Sequence, residues 1–298
     1  MSLHVPVLLK ESIDGLDLNE FDVVLDGTLG SGGHSHAIAE KLGIGGVLVA
    51  LDQDEDAIER SRKKLADTKC ELHLVRENFR NLDKVLENLD IKKIDKILLD
   101  LGWSTDQMED KERGMSYRED GPLQMTLLVN PDEQTLTAYE IVNEWGEDSL
   151  VDILKGYGEE RYAKGIARGI VSAREEKKIE TTLELVEIIE NSVPKKYIHG
   201  KTHFAARTFQ ALRIAVNDEL GALRDALEVG FEKLGGGGRL AIISFHSLED
   251  RIVKNFFRDK KNEGLAELLT KKPIVASREE LAENNKARSA KLRILKKL

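Results

Sequence analysis

The sequence predicts an α/β fold, a parallel sheet with helices on its faces and an all-helical insertion. Three observations predict it. Apolar runs end in turn at Asp26, Asp52, Val75 and Asp100. Amphipathic segments such as 54–66 separate them, and alternating β and α segments at this spacing imply a parallel sheet. After Asp100 the alternation stops, and no convincing buried strand appears between about 107 and 194. With 298 residues, 41% of them hydrophobic, the chain can bury one large core or two modest ones.

The first strand, 21–25, leads into Asp26-Gly27-Thr28-Leu29-Gly30-Ser31-Gly32-Gly33-His34-Ser35, and Ala37, Ile38 and Leu42 open a helix behind it. The second strand, 47–51, ends at Asp52, the third spans 72–75, and the fourth, 94–99, ends at Asp100. Residues 107–134 read as loop. Helices are expected at 139–145, 149–154 and 159–176, and Thr181-Thr182-Leu183-Glu184 forms a capping box ahead of another. Apolar residues from Phe209 to Leu234 then recur at spacings of 3, 4, 4, 3, 4, 4 and 3, which gives one long helix or two stacked ones. The glycine run 235–238 ends this stripe. A fifth strand follows at 239–245 and a helix at 248–257, and the runs 272–276 and 290–295 are expected to close the sheet edge. The predicted domains are 1–106 with 205–298 for the sheet, and 107–204 for an inserted helical domain.

Composition narrows the function classes. A single cysteine, Cys70, excludes an internal disulfide and a cysteine-cluster zinc site, and no metal is expected. The first residues lack a basic stretch and a long apolar core, so no signal peptide is expected, and no apolar run approaches membrane length. The expected setting is the cytoplasm. Net charge is −9, which argues against a generic nucleic-acid coat. The charge is uneven, however: residues 286–298 hold six basic residues and no acid, and 195–203 forms a second basic patch. Either run alone reads as solvated surface. Two of them beside a cofactor fold favour a polyanionic substrate.

A strand, a glycine turn and a helix in that order form a nucleotide-type site, because glycines admit a ligand close to the backbone and the first helical N–H groups face an anion. An acid about 20 residues on, at a strand end, is placed to accept ribose hydroxyls, and Asp52 fills that position. Three ligands compete. A P-loop needs Lys then Ser or Thr after its last glycine, and Gly33-His34 stands there instead. A dinucleotide fingerprint is matched imperfectly, with Ser35 at its third position, which keeps an NAD-dependent dehydrogenase as a rival. S-adenosylmethionine (SAM), which has no pyrophosphate and whose only anion is a carboxylate, is the third.

Longer strings bear on the choice. They are His4-Val5-Pro6-Val7-Leu8-Leu9, the segment 26–35, Leu98-Leu99-Asp100-Leu101-Gly102, Tyr157-Gly158-Glu159-Glu160-Arg161, the run 207–217, the run 243–251 and Ala287-Arg288-Ser289-Ala290-Lys291-Leu292-Arg293. In these strings, which span nearly the whole length, the chain resembles the bacterial small-subunit ribosomal RNA methyltransferase H family. The resemblance implies a Rossmann-like SAM-dependent methyltransferase sheet with a helical domain inserted after the fourth strand. It implies N4-methylation of a cytidine in the decoding region of 16S rRNA, with the small ribosomal subunit as partner, and it leaves a homodimer open. By the same resemblance SAM contacts Gly32, Gly33, His34, Asp52, Phe79, Asp100 and Gln107. The string Gln124-Met125-Thr126-Leu127-Leu128 departs from the family's acidic, arginine-containing one, and Trp103 stands where a small aliphatic is common. These departures keep a non-catalytic or retargeted RNA-binding relative as an alternative.

The chemistry asked of such a site is alignment of a poor nucleophile, because the cytosine amine lone pair is delocalised into the ring. An acceptor for the amine hydrogens restores electron density to nitrogen and stabilises the charge that grows there. Asp100 is the candidate catalytic residue for that task. Ser244, His246 and Ser247, just past the fifth strand, and Asn217 are expected to line the cytidine pocket, with Arg207 and Arg213 on RNA phosphate. The plainer reading of His246 is a hydrogen-bonded structural histidine.

Overall fold

A computed structural model describes residues 6–102, 111–128 and 134–298. The positions Trp103 and Gln107 lie outside the described residues. The described chain forms α1 (Leu9–Leu16), β1 (Val23–Asp26), α2 (Gly33–Ala39), β2 (Val47–Asp52), α3 (Glu55–Lys64), β3 (Glu71–Arg76), α4 (Leu82–Asn88) and β4 (Ile94–Asp100). Next come α5 (Ala138–Glu144), α6 (Glu147–Gly156), α7 (Ala163–Glu176), α8 (Thr182–Asn191), α9 (Lys195–Ile198) and α10 (Ala206–Asn217). The chain ends with α11 (Glu219–Lys233), β5 (Leu234–Ser244), α12 (Ser247–Asn262), β6 (Ala266–Leu268), α13 (Arg278–Glu283) and β7 (Lys291–Lys297). No helix among the described residues is long and apolar enough to cross a membrane.

Two compact units result. The first takes Met1–Trp103 and Leu220–Leu298, and the second Ser104–Glu219. Residues 205–219, which the sequence groups with the sheet, cluster with the helical unit. The apolar stripe that spans both resolves into α10 and α11. Asp218, at φ 45°, breaks it between them, because a left-handed residue cannot continue an α-helix.

The first unit is a seven-stranded sheet of order β3-β2-β1-β4-β5-β7-β6. The first five strands run parallel, and β7 lies antiparallel between β5 and β6. Both sheet faces are covered, so the strands read as nearly continuous apolar runs. Along β4, Ile97 and Leu99 join one core with Leu86, Leu227, Phe231 and Phe257, while Leu98 points into another with Leu16, Ile38, Leu42 and Ile58. The chain reverses direction in strand order between β1 and β4, which is where an open α/β sheet places its ligand.

Three details differ from the expectation. The strand β5 runs through the glycines: Ile94 pairs with Leu234 and Lys96 with Arg239, so the glycine run bulges opposite Asp95. The three-residue β6, too short for any hydrophobic period, forms the sheet edge. The run 272–276 contributes only an isolated bridge, Ile274 with Leu292, beside Pro273, which has no backbone N–H to donate.

In the helical unit, the capping box at Thr181 is present, with Glu184 reaching back to the Thr181 N–H. Helices α5, α6 and α7 bury Ile141, Leu150, Leu154, Ile166 and Ile170.

Candidate active site

Three aspartates close β1, β2 and β4 on one rim, and the glycine loop is fastened among them. Gly27 N–H donates to Leu98 O, Leu29 N–H to Leu51 O and Gly32 N–H to Leu29 O. The loop turns through Gly30 at φ 52° and Gly32 at φ 71°, conformations that glycine adopts without strain. A side chain at Gly32 would also meet Ser61 Oγ at 2.8 Å.

The buried Asp26 organises the loop from below. Its Oδ2 accepts from Ser35 Oγ at 2.6 Å and its Oδ1 from Thr28 N at 3.1 Å and Thr28 Oγ1 at 3.4 Å. Burial raises its carboxyl above the ordinary value, against the pull of these hydrogen bonds. Thr28 Oγ1 also accepts the Asp100 N–H at 2.7 Å, so one hydroxyl ties the ends of β1 and β4 together.

Asp52 is half-buried. Its Oδ2 accepts from Gly30 N at 2.8 Å and its Oδ1 from Asp54 N at 2.9 Å. Each oxygen keeps a second lone pair for a ligand hydroxyl. Burial raises this carboxyl too, partly offset by the Asp54 and Gly30 amides. Phe79 follows β3 in a short helical turn, half-buried, with its Cβ 3.1 Å from where a Gly27 side chain would begin.

Asp100 differs from the other two. Its Oδ2 lies 3.5 Å from His34 Nδ1, and its Oδ1 is buried with no hydrogen-bond partner among the described residues. Burial, then the neighbouring charges of Asp26 and Glu249, push its carboxyl well above the ordinary value. His34 is buried on α2, with Nε2 3.1 Å from Val7 O. Gly33 begins the same helix, and a side chain there would strike the Pro6 ring.

The segment after β5 reaches the same rim, since Asp100 pairs with Ile243 and Leu101 N–H donates to Ile243 O. The structure gives its polar residues internal work. Ser244 is buried and donates to Lys291 O at 3.4 Å. His246 caps α12: its Nδ1 accepts the Glu249 N–H at 3.4 Å, and Glu249 Oε2 accepts from the Phe245 and His246 amides. This is a capping box with imidazole in the usual hydroxyl's place. Ser247, the first residue of α12, is exposed. The spacing His246-x-x-Glu249 is the sequence signal of this cap, with Glu249 as its second member.

The helical unit likewise engages the residues expected on RNA. Arg213 makes a two-pronged pair with Glu219, at 2.8 and 3.0 Å, with both side chains largely buried. Its guanidinium meets a carboxylate of its own unit. Asn217 donates to Met125 O and Arg213 O and accepts from Leu127 N at 2.9 Å, so its amide fixes the divergent segment 124–128. Arg207 donates to Glu159 O. The C-terminal basic run is also partly internal, because Arg293 and Lys291 bind Asp250 and Lys297 donates to the end of α11. Lys195, Lys196, His199 and Lys201 remain exposed.

The rim fits SAM chemically. A strand-end carboxylate with spare lone pairs, Asp52, suits hydroxyl donors, the half-buried Phe79 ring suits a flat base, and the rim carboxylates suit a positively charged sulfonium. A pyrophosphate would meet those same carboxylates unfavourably, which disfavours a dinucleotide.

Comparison with known proteins bears on the same site. The sequence pattern of the MraW methylase family matches residues 1–298. The ribosomal RNA small subunit methyltransferase H of Clostridium botulinum (strain Kyoto / Type A2) is 45% identical over an alignment 310 positions long, covering 99% of each chain. The protein of that name from Brevibacillus brevis (strain 47 / JCM 6285 / NBRC 100599) is 42% identical over 311, covering 99% of this chain and 98% of its own. The chain belongs to the MraW methylase family and is a SAM-dependent methyltransferase.

Proposed function

We propose that this chain methylates the N4 amine of a cytidine in the decoding region of 16S rRNA within the small ribosomal subunit. The observation that carries the chemistry is the Oδ1 of Asp100 at the β1–β4 switch point, which has no hydrogen-bond partner among the described residues. The relatives' name, ribosomal RNA small subunit methyltransferase, supports the substrate class.

SAM supplies an activated methyl on a sulfonium when bound. Gly32, Gly33 and His34 would hold its amino-acid end, Asp52 would accept from its ribose, and Phe79 would pack on its adenine. Gln107 belongs to the same set by family resemblance. Asp100 Oδ1 accepts an amine hydrogen, raising electron density on the attacking nitrogen and steadying the positive charge that develops. Fixing the two reactants in line contributes roughly 7–11 kcal/mol to such reactions. The rigid rim supports that fixing, since its loop is tied to β1, β2 and β4 by backbone bonds. The exposed lysines at 195–201 suit RNA phosphate. The target base must leave its stack, which is easiest in irregular or single-stranded RNA.

Transfer of labelled methyl from SAM to unmodified small subunits, followed by nucleoside mass analysis, tests the reading. N4-methylcytidine at one position is the expected product. Tight SAM binding with no labelled nucleoside on any RNA would instead favour a non-catalytic relative, in keeping with the divergent 124–128 segment.

A further inference from the structure

His34 enters the site with its side chain, and its hydrogen bonds define its state. Nε2 lies 3.1 Å from the Val7 carbonyl. A carbonyl oxygen only accepts, so Nε2 carries a hydrogen and donates it. In the neutral ring Nδ1 is then a lone pair, and it faces Asp100 Oδ2 at 3.5 Å. Two lone pairs do not attract. A proton therefore belongs between them, on the ring or on the carboxyl. The other oxygen, Oδ1, is buried and has no hydrogen-bond partner among the described residues. Among the described residues, the acids that act on Asp100 are Asp26 at the end of β1 and Glu249 on α12, and both favour keeping a proton in this pair.

We propose that His34 and Asp100 form a one-proton dyad, in which His34 holds Oδ2 and so leaves Oδ1 to receive the proton released by the methylated nitrogen. The inference rests on the methyl-transfer reading and adds the proton's destination. The amine lone pair forms the N–C bond while the C–S bond breaks with its electron pair on sulfur. The nitrogen is left positive. One N–H proton passes to Oδ1, its bonding pair returning to nitrogen, and the proton shared at Oδ2 moves fully to Nδ1. The dyad ends with two protons and loses one to solvent before the next turnover. His34 is thus a positioning residue and a proton store, and Asp100 is the group that touches substrate.

The test reads protonation directly. The whole chain, labelled with 15N-histidine, is titrated by NMR as wild type and as Asp100→Asn. The expected wild-type spectrum shows His34 with hydrogen on Nε2, and Asp100→Asn lowers its titration midpoint by a pH unit or more, on the order seen for a lost carboxylate partner. A midpoint that Asp100→Asn leaves in place, or a ring with hydrogen on Nδ1 alone, overturns the dyad. In parallel, His34→Gln, read at saturating SAM, is expected to lower the single-turnover methyl-transfer rate roughly 100-fold and to move the acidic limb of the pH–rate profile. A rate that falls with the profile unmoved means a merely structural histidine and overturns the proposal. If His34→Gln fails to fold, the Asp100→Asn titration still decides. Wild-type protein that transfers no methyl to any RNA defeats the functional reading, whereas the NMR result stands or falls separately.

Discussion

Asp52 does two jobs with one carboxylate. It holds the glycine loop through Gly30 N–H and caps the next turn through Asp54 N–H, while its free lone pairs face the rim. Asp52→Ala is expected to weaken SAM binding roughly 10- to 100-fold by isothermal titration, the worth of hydrogen bonds to a charged group. Asp250 shows a different balance. Burial would raise its carboxyl, but Arg293 at 2.7 Å and Lys291 at 3.3 Å more than compensate and hold it below the ordinary value. A carboxyl depressed in the folded state adds stability that is complete above its unfolded pKa and is lost as pH falls through the folded one. Asp250→Asn, which leaves the largely buried Arg293 unpaired, is expected to cost about 3 kcal/mol at neutral pH. Urea midpoints of the two proteins should converge in acid. At this scale the strand-end aspartates were legible in the sequence, because each closes a largely apolar run. The contact of His34 with Asp100 was not, because it joins residues on separate elements and only the folded sheet brings them together.

The elements show what local pattern can and cannot reveal. The strands β1, β2 and β4 are buried on both faces, so their composition declares them. The break at Asp218 left no trace in the apolar stripe, since both helices continue its spacing. The end of α11 is secured from far along the chain: Lys297 Nζ on β7 donates to Phe231 O at 2.7 Å, Glu232 O at 3.2 Å and Leu234 O at 2.7 Å. A cation at a helix C-terminus satisfies carbonyls that have no partner within the helix. The same ammonium stands 4.9 Å from the centre of the Phe231 ring. Lys297→Met keeps the aliphatic stem and removes the donors, and is expected to destabilise the protein by about 1–3 kcal/mol, read as a lower thermal midpoint. In the sequence this lysine was one member of a basic run, and nothing in a run distinguishes a cap from a solvated charge.

For the molecule as a whole, net charge and local charge point in different directions. The chain is acidic at −9, and much of its C-terminal basic run is engaged by Asp250 and by the end of α11. Lys195, Lys196 and Lys201 are the exposed lysines of the other run. RNA binding through about three such charges predicts a slope of log affinity against log salt near −2, measurable by filter binding from low to moderate ionic strength. A slope several times steeper would require phosphate contacts well beyond this patch. Fold class and the position of the rim were readable because they follow from strand order and composition. The exact partition of the chain was not, because α10 carries the same periodicity as α11 yet clusters with the helical unit.

That partition has a kinetic corollary. Strand β4 must find β5 across the whole of residues 104–219, and closing so long a flexible loop is entropically slow and unfavourable. If the intervening helices assemble first, the tether between the two strands becomes short. Mutations that loosen α6 against α7, remote from any reacting atom, should therefore delay refolding of the sheet more than they lower its final stability.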